Sequence, residues 1–118
     1  MLGLIPYGDV MRLLIGSACV INPSHFEGWS STVEESKTLG KRVILSNIGV
    51  HVEQKPEFGI YFSPDDDAQL ASIMSDVVTG KLPEVKVDKE SLLRTLENRT
   101  KDFAHSYLAA VKQLANKN

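Results

Sequence analysis

A chain of 118 residues has the length of one domain and can bury a substantial core. Hydrophobic residues make up 42% of it, charged residues 24%, and the net charge is -2, which is the composition of a globular protein. A net charge of this sign does not favour binding to nucleic acid or anionic lipid. No run of apolar residues approaches the ~18 that a membrane span requires. We therefore expect a cytoplasmic protein without a nucleic-acid partner, in which any contact with the inner face of a membrane is made outside this segment.

Apolar runs and helical patterns alternate from the start of the chain. LGLIP, residues 2–6, predicts a short strand, and YGDVMRLLIG, residues 7–16, predicts a helix. ACVIN, residues 18–22, predicts a buried strand. Cys19 lies within it, and we expect a buried, reduced thiol.

The alternation continues through the middle of the chain. Residues 31–39 favour a helix that ends at Gly40, and RVILS, residues 42–46, is a continuous apolar run of the kind found in parallel sheets. GIYFS, residues 59–63, predicts a further strand. About four strands are therefore expected, fewer than the roughly five or six of a typical sheet, so we expect the sheet to continue in residues that precede this segment.

Two helices are predicted after the last strand. Pro64 and the aspartates at 65–67 open the first, which ends near Gly80, and residues 89–115 carry apolar side chains at spacings of three and four. We divide the chain into an N-terminally truncated lobe, residues 1–84, and a helical segment, residues 85–118, that packs on it. Strands alternating with helices predict an α/β protein with a parallel sheet, right-handed crossovers and a long C-terminal helix.

Two glutamates lie in NPSHFEGWSSTVEESKTLGKRVILSN, residues 22–47. Ligands of open α/β sheets bind beyond the carboxyl ends of the strands, where this segment begins. Gly28 lets a ligand approach the backbone, and the N–H groups at the start of the next helix suit a phosphate. Glu27 and Glu35 are placed to accept hydrogen bonds from hydroxyl groups on either side of that phosphate.

A second interpretation of this segment needs no ligand. Ser31 with Glu34, and Thr32 with Glu35, match the capping box of a helix N-terminus. Adjacent helical residues point about 100° apart, so one glutamate can cap the helix while the other faces a ligand. Both roles remain open from the sequence.

The segment PSHFEGWSSTVEESKTLGKRVILSN resembles the Glu-x7-Glu signature of retaining, nucleotide-sugar-dependent glycosyltransferases with two Rossmann-like lobes, the GT-B type of glycosyl transferases group 1. GIYFSPDDDAQLASIMSDVV is similar to the strand, turn and helix that follow in that family, and FAHSYLAAVKQL to its C-terminal helix. The family often has Gly-Phe-Gly-x-Pro after the first glutamate, where this chain has GWSST. The resemblance implies a partial Rossmann-like sheet from the C-terminal, donor-binding lobe.

The resemblance also implies roles for individual residues. Those that would contact the donor sugar are Glu27, Gly28, Trp29 and Ser30. Those whose backbone N–H groups would bind the diphosphate are Ser31, Thr32 and Val33. Glu35 would bind the ribose hydroxyls. Those that would lie beside the nucleobase are Leu4, Ile5 and Pro6.

The implied activity is transfer of a sugar from a UDP- or GDP-type donor to an acceptor, with retention of configuration. The resemblance implies no cofactor and no metal, and no residue of this chain is assigned a nucleophilic role. The acceptor lobe and the cations of the diphosphate site would lie outside these residues, so we expect the 118 residues alone to be inactive and to self-associate through an uncovered apolar face. Two other functions remain open: a sugar-nucleotide epimerase of the same architecture and a non-catalytic α/β interaction module.

Other polar and aromatic residues have simpler explanations. His25 is expected to be an ordinary loop histidine, and Trp29 an apolar plug beneath its loop, with stacking on a ligand as the alternative. His51 follows a strand end, where Asn47 and Gly49 predict a turn that lines the site or only connects elements. The aspartates at 65–67 are explained by capping and the helix dipole, without a metal.

Overall fold

The computed structural model describes residues 3–115. The chain divides into two compact units, the first ending at Lys86 and the second beginning at Val87. The strands are β1 Val20–Asn22, β2 Val43–Ser46 and β3 Gly59–Phe62. The helices are α1 Tyr7–Gly16, α2 Ser31–Thr38, α3 Gly49–Gln54, α4 Asp67–Val78 and α5 Lys89–Ala115.

The first unit is built on a parallel sheet of three strands in the order β1-β2-β3, flanked by helices. This confirms the α/β prediction with a parallel sheet and a long C-terminal helix. Parallel strands end at the same edge of a sheet, which we call the carboxyl edge and define by Asn22, Ser46 and Phe62. The loop between β1 and α2 therefore begins at this edge.

The core lies between one face of the sheet and α2. The buried residues that form it are Val20, Val33, Val43 and Leu45, with Leu14 and Tyr61 packed against them. β2 is buried along its whole length, as expected for the central strand of a parallel sheet. Val33 contributes from the first turn of α2, so its burial fixes the N-terminus of that helix relative to the sheet.

The end of α2 confirms the predicted stop at Gly40. Gly40 has a φ of 60° in the left-handed region, and the N–H of Lys41 donates to the carbonyl of Ser36 at 2.8 Å, as in a Schellman motif. The Lys41 ammonium donates to the carbonyls of Ile15 and Ser17, which end α1. One turn thereby closes α2 and binds the last carbonyls of α1.

The start of α4 confirms the prediction made from the aspartates. Asp66 is the N-cap, and its carboxylate accepts from the N–H of Gln69 at 2.8 Å. The apolar stripe of this helix is only partly covered, since Met74 and Val78 are exposed.

The strand predicted at 2–6 is wrong. Leu2 lies outside the described residues, and residues 3–6 form no strand. Gly3 has a φ of 65°, which interrupts an extended chain, and the carbonyl of Pro6 accepts the first hydrogen bonds of α1. The sheet of the described residues therefore has three strands, where about four were expected.

Helix α3 was not predicted, because Asn47 and Gly49 indicated only a turn. The helix is six residues long, too short for hydrophobic periodicity to reveal. Its buried side chains, His51 and Gln54, are polar, so the usual apolar stripe is missing.

The second unit consists mainly of α5, a helix of 27 residues. Glu90 and Arg94 form an ion pair at 2.6 Å, and the rings of Phe103 and Tyr107 stack with centroids 6.3 Å apart. No helix within residues 3–115 combines the length and the apolarity needed to cross a membrane.

Candidate functional site

A network of polar side chains closes the loop that follows β1. Asn22 is buried, and its amide donates to the Ser30 hydroxyl oxygen at 2.9 Å. The side-chain oxygen of Asn22 accepts from the hydroxyl of Ser24 at 2.8 Å. The last residue of β1 therefore holds both ends of the loop that carries Glu27.

Glu27 is half-buried and is bound through one of its two oxygens. Its Oε1 lies 2.9 Å from the Ser24 hydroxyl and 3.4 Å from the Asn22 amide nitrogen. The Ser24 hydroxyl has one proton for two acceptors, so Oε1 shares it with the Asn22 oxygen. Among the described residues no donor contacts Oε2, which leaves this oxygen as an acceptor for a hydroxyl group outside the protein.

The capping boxes predicted at the start of α2 are wrong. The N-cap is Ser30, whose hydroxyl oxygen accepts from the N–H of Val33 at 3.4 Å, and neither Ser31 nor Thr32 caps the helix. Ser30 is buried and bonded to Asn22, so the residue that caps α2 is chosen by a contact with the end of β1. Local sequence alone, in which three hydroxyl residues follow one another, does not reveal this choice.

We call residues 30–33, the first turn of α2 with its cap, the phosphate turn. Its N–H groups were predicted to bind a diphosphate. Within the part of the chain that the structure describes, the N–H groups of Ser31 and Thr32 have no acceptor, whereas that of Val33 is bound to Ser30. The turn therefore offers two N–H groups and the positive end of the α2 dipole to an anion.

Gln54 holds the phosphate turn from α3, and sequence reasoning missed it. Its side chain is buried; Oε1 accepts from the N–H of Ser30 at 3.3 Å and Nε2 donates to the carbonyl of Ser30 at 2.9 Å. Nε2 also donates to Glu34 Oε1 at 3.0 Å, where the Lys37 ammonium binds as well. Glu34 thus binds the side chains of Gln54 and Lys37 within the protein.

Glu35 lies beside the segment that was predicted to contact a nucleobase. The hydroxyl of Tyr7 donates to Glu35 Oε1 at 3.1 Å, and Tyr7 directly follows Pro6. Of the three residues predicted near the base, Leu4 and Pro6 are exposed and Ile5 is half-buried. The structure therefore brings Glu35 to Tyr7, the residue that directly follows the segment predicted to lie beside the base.

The Tyr7 contact predicts a measurable titration. The hydrogen bond to Glu35, followed by desolvation and the negative charge of Glu35, raises the pKa of Tyr7 above 10.0. The folded chain therefore holds this proton more tightly than the unfolded chain, so the contact stabilises below pH 10 and is lost as the pH rises through the folded pKa. In Glu35→Ala we expect the Tyr7 pKa to fall toward 10.0, measured by NMR titration of the tyrosine ring carbons. Tyr61 is the internal control, because burial raises its pKa and should continue to do so; an unchanged Tyr7 titration would show that the contact is absent in solution.

Trp29 is not a plug beneath its loop. It is 55% exposed and Phe26 is 87% exposed, so two aromatic side chains reach solvent on either side of Glu27 and Gly28. A side chain built at Gly28 would meet no atom within 4 Å. The backbone at Gly28 is therefore open to a ligand, and nothing in the packing requires glycine there.

The two histidines of the carboxyl edge have different environments. His51 is fully buried, with Nδ1 2.9 Å from the carbonyl of Ser46, whose hydroxyl also bonds the carbonyl of Ser24. If Nδ1 donates to that carbonyl, Nε2 is an acceptor, and it has no partner among the described residues. Ser46 thus connects His51 of α3 to the loop after β1, through the carbonyl of Ser24. His25 is exposed and lies 3.8 Å from Asp65, a contact that adds little stability.

Cys19 was expected to be buried, but the structure shows that it is only half-buried. It lines an open apolar groove of about 220 Å³ between α1 and β1, together with Leu13, Leu14 and Val20. Burial raises the pKa of its thiol, and the charges of Arg42 and Lys41 partly offset that effect. A thiol with a raised pKa forms little of the reactive thiolate at neutral pH. No cluster of three or more metal-ligating side chains occurs in residues 3–115.

No protein-family model, curated protein or solved structure matches the chain. A function can therefore be derived only from the carboxyl edge and from the motif that forms it. The relevant groups are the free oxygen of Glu27, the two N–H groups of the phosphate turn and Glu35.

Proposed function

We propose that this chain is the donor-binding part of a cytoplasmic glycosyltransferase with a partial Rossmann-like sheet, which transfers a sugar from a nucleotide-diphosphate sugar to an acceptor with retention. One observation carries the proposal. Along the start of α2 the chain presents a carboxylate oxygen without a partner among the described residues, two N–H groups equally without one, and a second carboxylate. A nucleotide sugar has the matching order of groups, with sugar hydroxyls, then phosphates, then ribose hydroxyls.

Glu27 recognises the sugar in this proposal. Its Oε1 is held by Ser24 and Asn22, so the orientation of the carboxylate is set before a ligand arrives. A hydroxyl that donates to Oε2 forms a charge-assisted hydrogen bond, which is about twice as strong as a neutral one. The open backbone at Gly28 allows the sugar ring to come close.

The phosphate turn binds the diphosphate. The N–H groups of Ser31 and Thr32 donate to its oxygens, and the dipole of α2 favours its negative charge. Glu27, Glu34 and Glu35 carry negative charges that repel a diphosphate, and Lys37 neutralises the charge of Glu34. The turn therefore needs cations from outside these residues to hold a doubly charged group firmly, and these cations would also stabilise the departing diphosphate during transfer.

Glu35 binds the ribose, and the nucleobase lies against residues 4–6. Tyr7 now donates to Oε1 of Glu35, the kind of bond that a ribose hydroxyl would make. A ribose with two hydroxyls either uses Oε2 as well or displaces Tyr7 from Oε1. Neither glutamate attacks the sugar, since both serve as hydrogen-bond acceptors and the catalytic contribution is positioning.

The test measures binding of UDP, GDP, ADP and their sugar conjugates to the whole chain by ligand-observed NMR. We expect one nucleotide diphosphate to bind, and its sugar conjugate to bind more tightly. In Glu27→Ala the affinity of the sugar conjugate relative to the bare nucleotide should fall by about tenfold, because a charged acceptor is lost. The bare nucleotide itself should bind as before.

Glu53→Ala serves as the matched control, because Glu53 is an exposed carboxylate on α3. The unmodified nucleosides control for base stacking without phosphate. If none of the nucleotides or conjugates binds, the donor-binding proposal is wrong for this chain.

A further inference from the structure

We propose that Gln54 is a positioning residue of the donor site, which sets the direction of the phosphate-binding N–H groups from helix α3. This inference rests on the proposed function. It adds to Glu27 and Glu35 a residue in α3 that lies outside the glutamate motif.

Gln54 binds both main-chain groups of a single residue. The N–H of Ser30 donates to Oε1 and the carbonyl of Ser30 accepts from Nε2, at 3.3 and 2.9 Å. Gln54 is 3% exposed, so water does not compete for these bonds. A primary amide can satisfy both groups at once, because it carries a donor and an acceptor side by side.

The direction of the Ser30 backbone determines what the phosphate turn presents. The carbonyl of Ser30 also accepts the first helical hydrogen bond of α2, from Glu34 at 3.2 Å. The hydroxyl oxygen of Ser30 accepts a hydrogen bond from the Asn22 amide, which also donates to Glu27. A rotation at Ser30 would therefore turn the N–H groups of Ser31 and Thr32 and shift the loop that holds Glu27.

Holding these groups in place before binding lowers the entropy that the ligand must remove. The third bond of Gln54, from Nε2 to Glu34 Oε1, likewise holds the next residues of α2 in place before a ligand binds. Gln54 thus connects the end of α3 to Ser30, the first residue of the phosphate turn, and to Glu34, which directly follows the turn.

The variant Gln54→Glu separates positioning from mere packing through its pH dependence. A protonated glutamate has the shape of glutamine and can donate to the carbonyl of Ser30 while accepting from its N–H. An ionised glutamate has no donor and faces both that carbonyl and the carboxylate of Glu34. Binding should therefore resemble that of the parent chain at low pH and weaken as the new carboxyl group ionises.

The experiment measures the Kd of UDP and GDP for the whole chain between pH 5 and pH 8. At each pH the Kd of the variant is divided by the Kd of the parent chain, so that the effect of phosphate titration cancels in this ratio. We expect this ratio to rise about tenfold for Gln54→Glu and to stay constant for Gln113→Glu, an exposed glutamine on α5. The amide resonances of Ser31 and Thr32, recorded without ligand, should move over the same pH range in Gln54→Glu. A constant ratio with unmoved resonances, in a chain that binds the nucleotide, overturns the positioning role and leaves the proposed function standing.

Gln54→Met keeps the test valid if the charged variant unfolds at high pH. Methionine fills the same space without hydrogen bonds, so binding should be weakened at every pH. Parent-like affinity in a folded Gln54→Met chain would contradict the inference. If the parent chain itself binds neither UDP nor GDP, the proposed function and this inference fail together.

Discussion

Replacing Glu35 with alanine is expected to weaken binding of the nucleotide diphosphate about 10- to 150-fold, because a hydrogen bond to a charged acceptor contributes about 1.5 to 3 kcal/mol. The ribose would lose its carboxylate while the phosphate turn and Glu27 remain. Alanine is the best helix former and Glu35 does not cap α2, so the helix should persist. The dissociation constants of the parent and the variant, measured by NMR titration with UDP and GDP, give the effect directly.

Two controls make this result specific. Glu53→Ala removes an exposed carboxylate from α3 and should leave the affinity within a factor of two, which measures the effect of net charge alone. A Tyr7→Phe variant removes the existing partner of Glu35 Oε1 and should not lower the affinity, because the ribose hydroxyls can then bind Glu35 without displacing Tyr7. Equal affinities of the parent and Glu35→Ala would exclude Glu35 from the ribose site.

The parts of the fold that the sequence predicts are those in which local chemistry is sufficient. The continuous apolar run at 42–46 has no polar face to expose, so a central parallel strand is the natural result. Gly40 tolerates the left-handed φ that ends α2, and Asp66 supplies a carboxylate to the start of α4. Each of these signals acts within a few residues.

The failures have the opposite character, because they depend on distant partners. Residues 2–6 have the composition of a strand, but residues 3–6 pair with no strand of the sheet that the structure describes. The cap of α2 is Ser30 because Asn22 and Gln54 bind it, the latter from 24 residues away in the sequence. Trp29 has the apolar character of a core residue and is nevertheless 55% exposed.

The candidate site divides in the same way. Glu27 and Glu35 were found because their spacing forms part of a motif, and the structure places each beside further polar partners. Tyr7 was missed because its contact spans 28 residues and has no periodic signature. Gln54 was missed because it lies in a helix too short to be predicted, where a buried glutamine looks like an ordinary surface residue.

Replacing Leu45 with alanine is expected to have the largest effect on stability. Leu45 is fully buried in the central strand, and a buried Leu→Ala change costs about 2 to 5 kcal/mol from lost burial and the cavity that remains. Native domains are stable by only about 5 to 15 kcal/mol, and a small unit with a three-stranded sheet belongs near the lower end of that range. We therefore expect the midpoint of urea unfolding to fall sharply, or the first unit to be largely unfolded at 37 °C.

Leu13→Ala is the matched control, since Leu13 is 53% exposed on α1 and the same change there should cost about 1 kcal/mol or less. The two variants remove the same atoms and differ in burial, so equal unfolding midpoints would show that Leu45 is not packed as described. The site should respond too, because Leu45 pairs in register with Asn22 on β1 and with Tyr61 on β3. A cavity beside Asn22 loosens the residue that binds both Ser30 and Glu27, so nucleotide-sugar binding should weaken in Leu45→Ala even under conditions in which the chain remains folded.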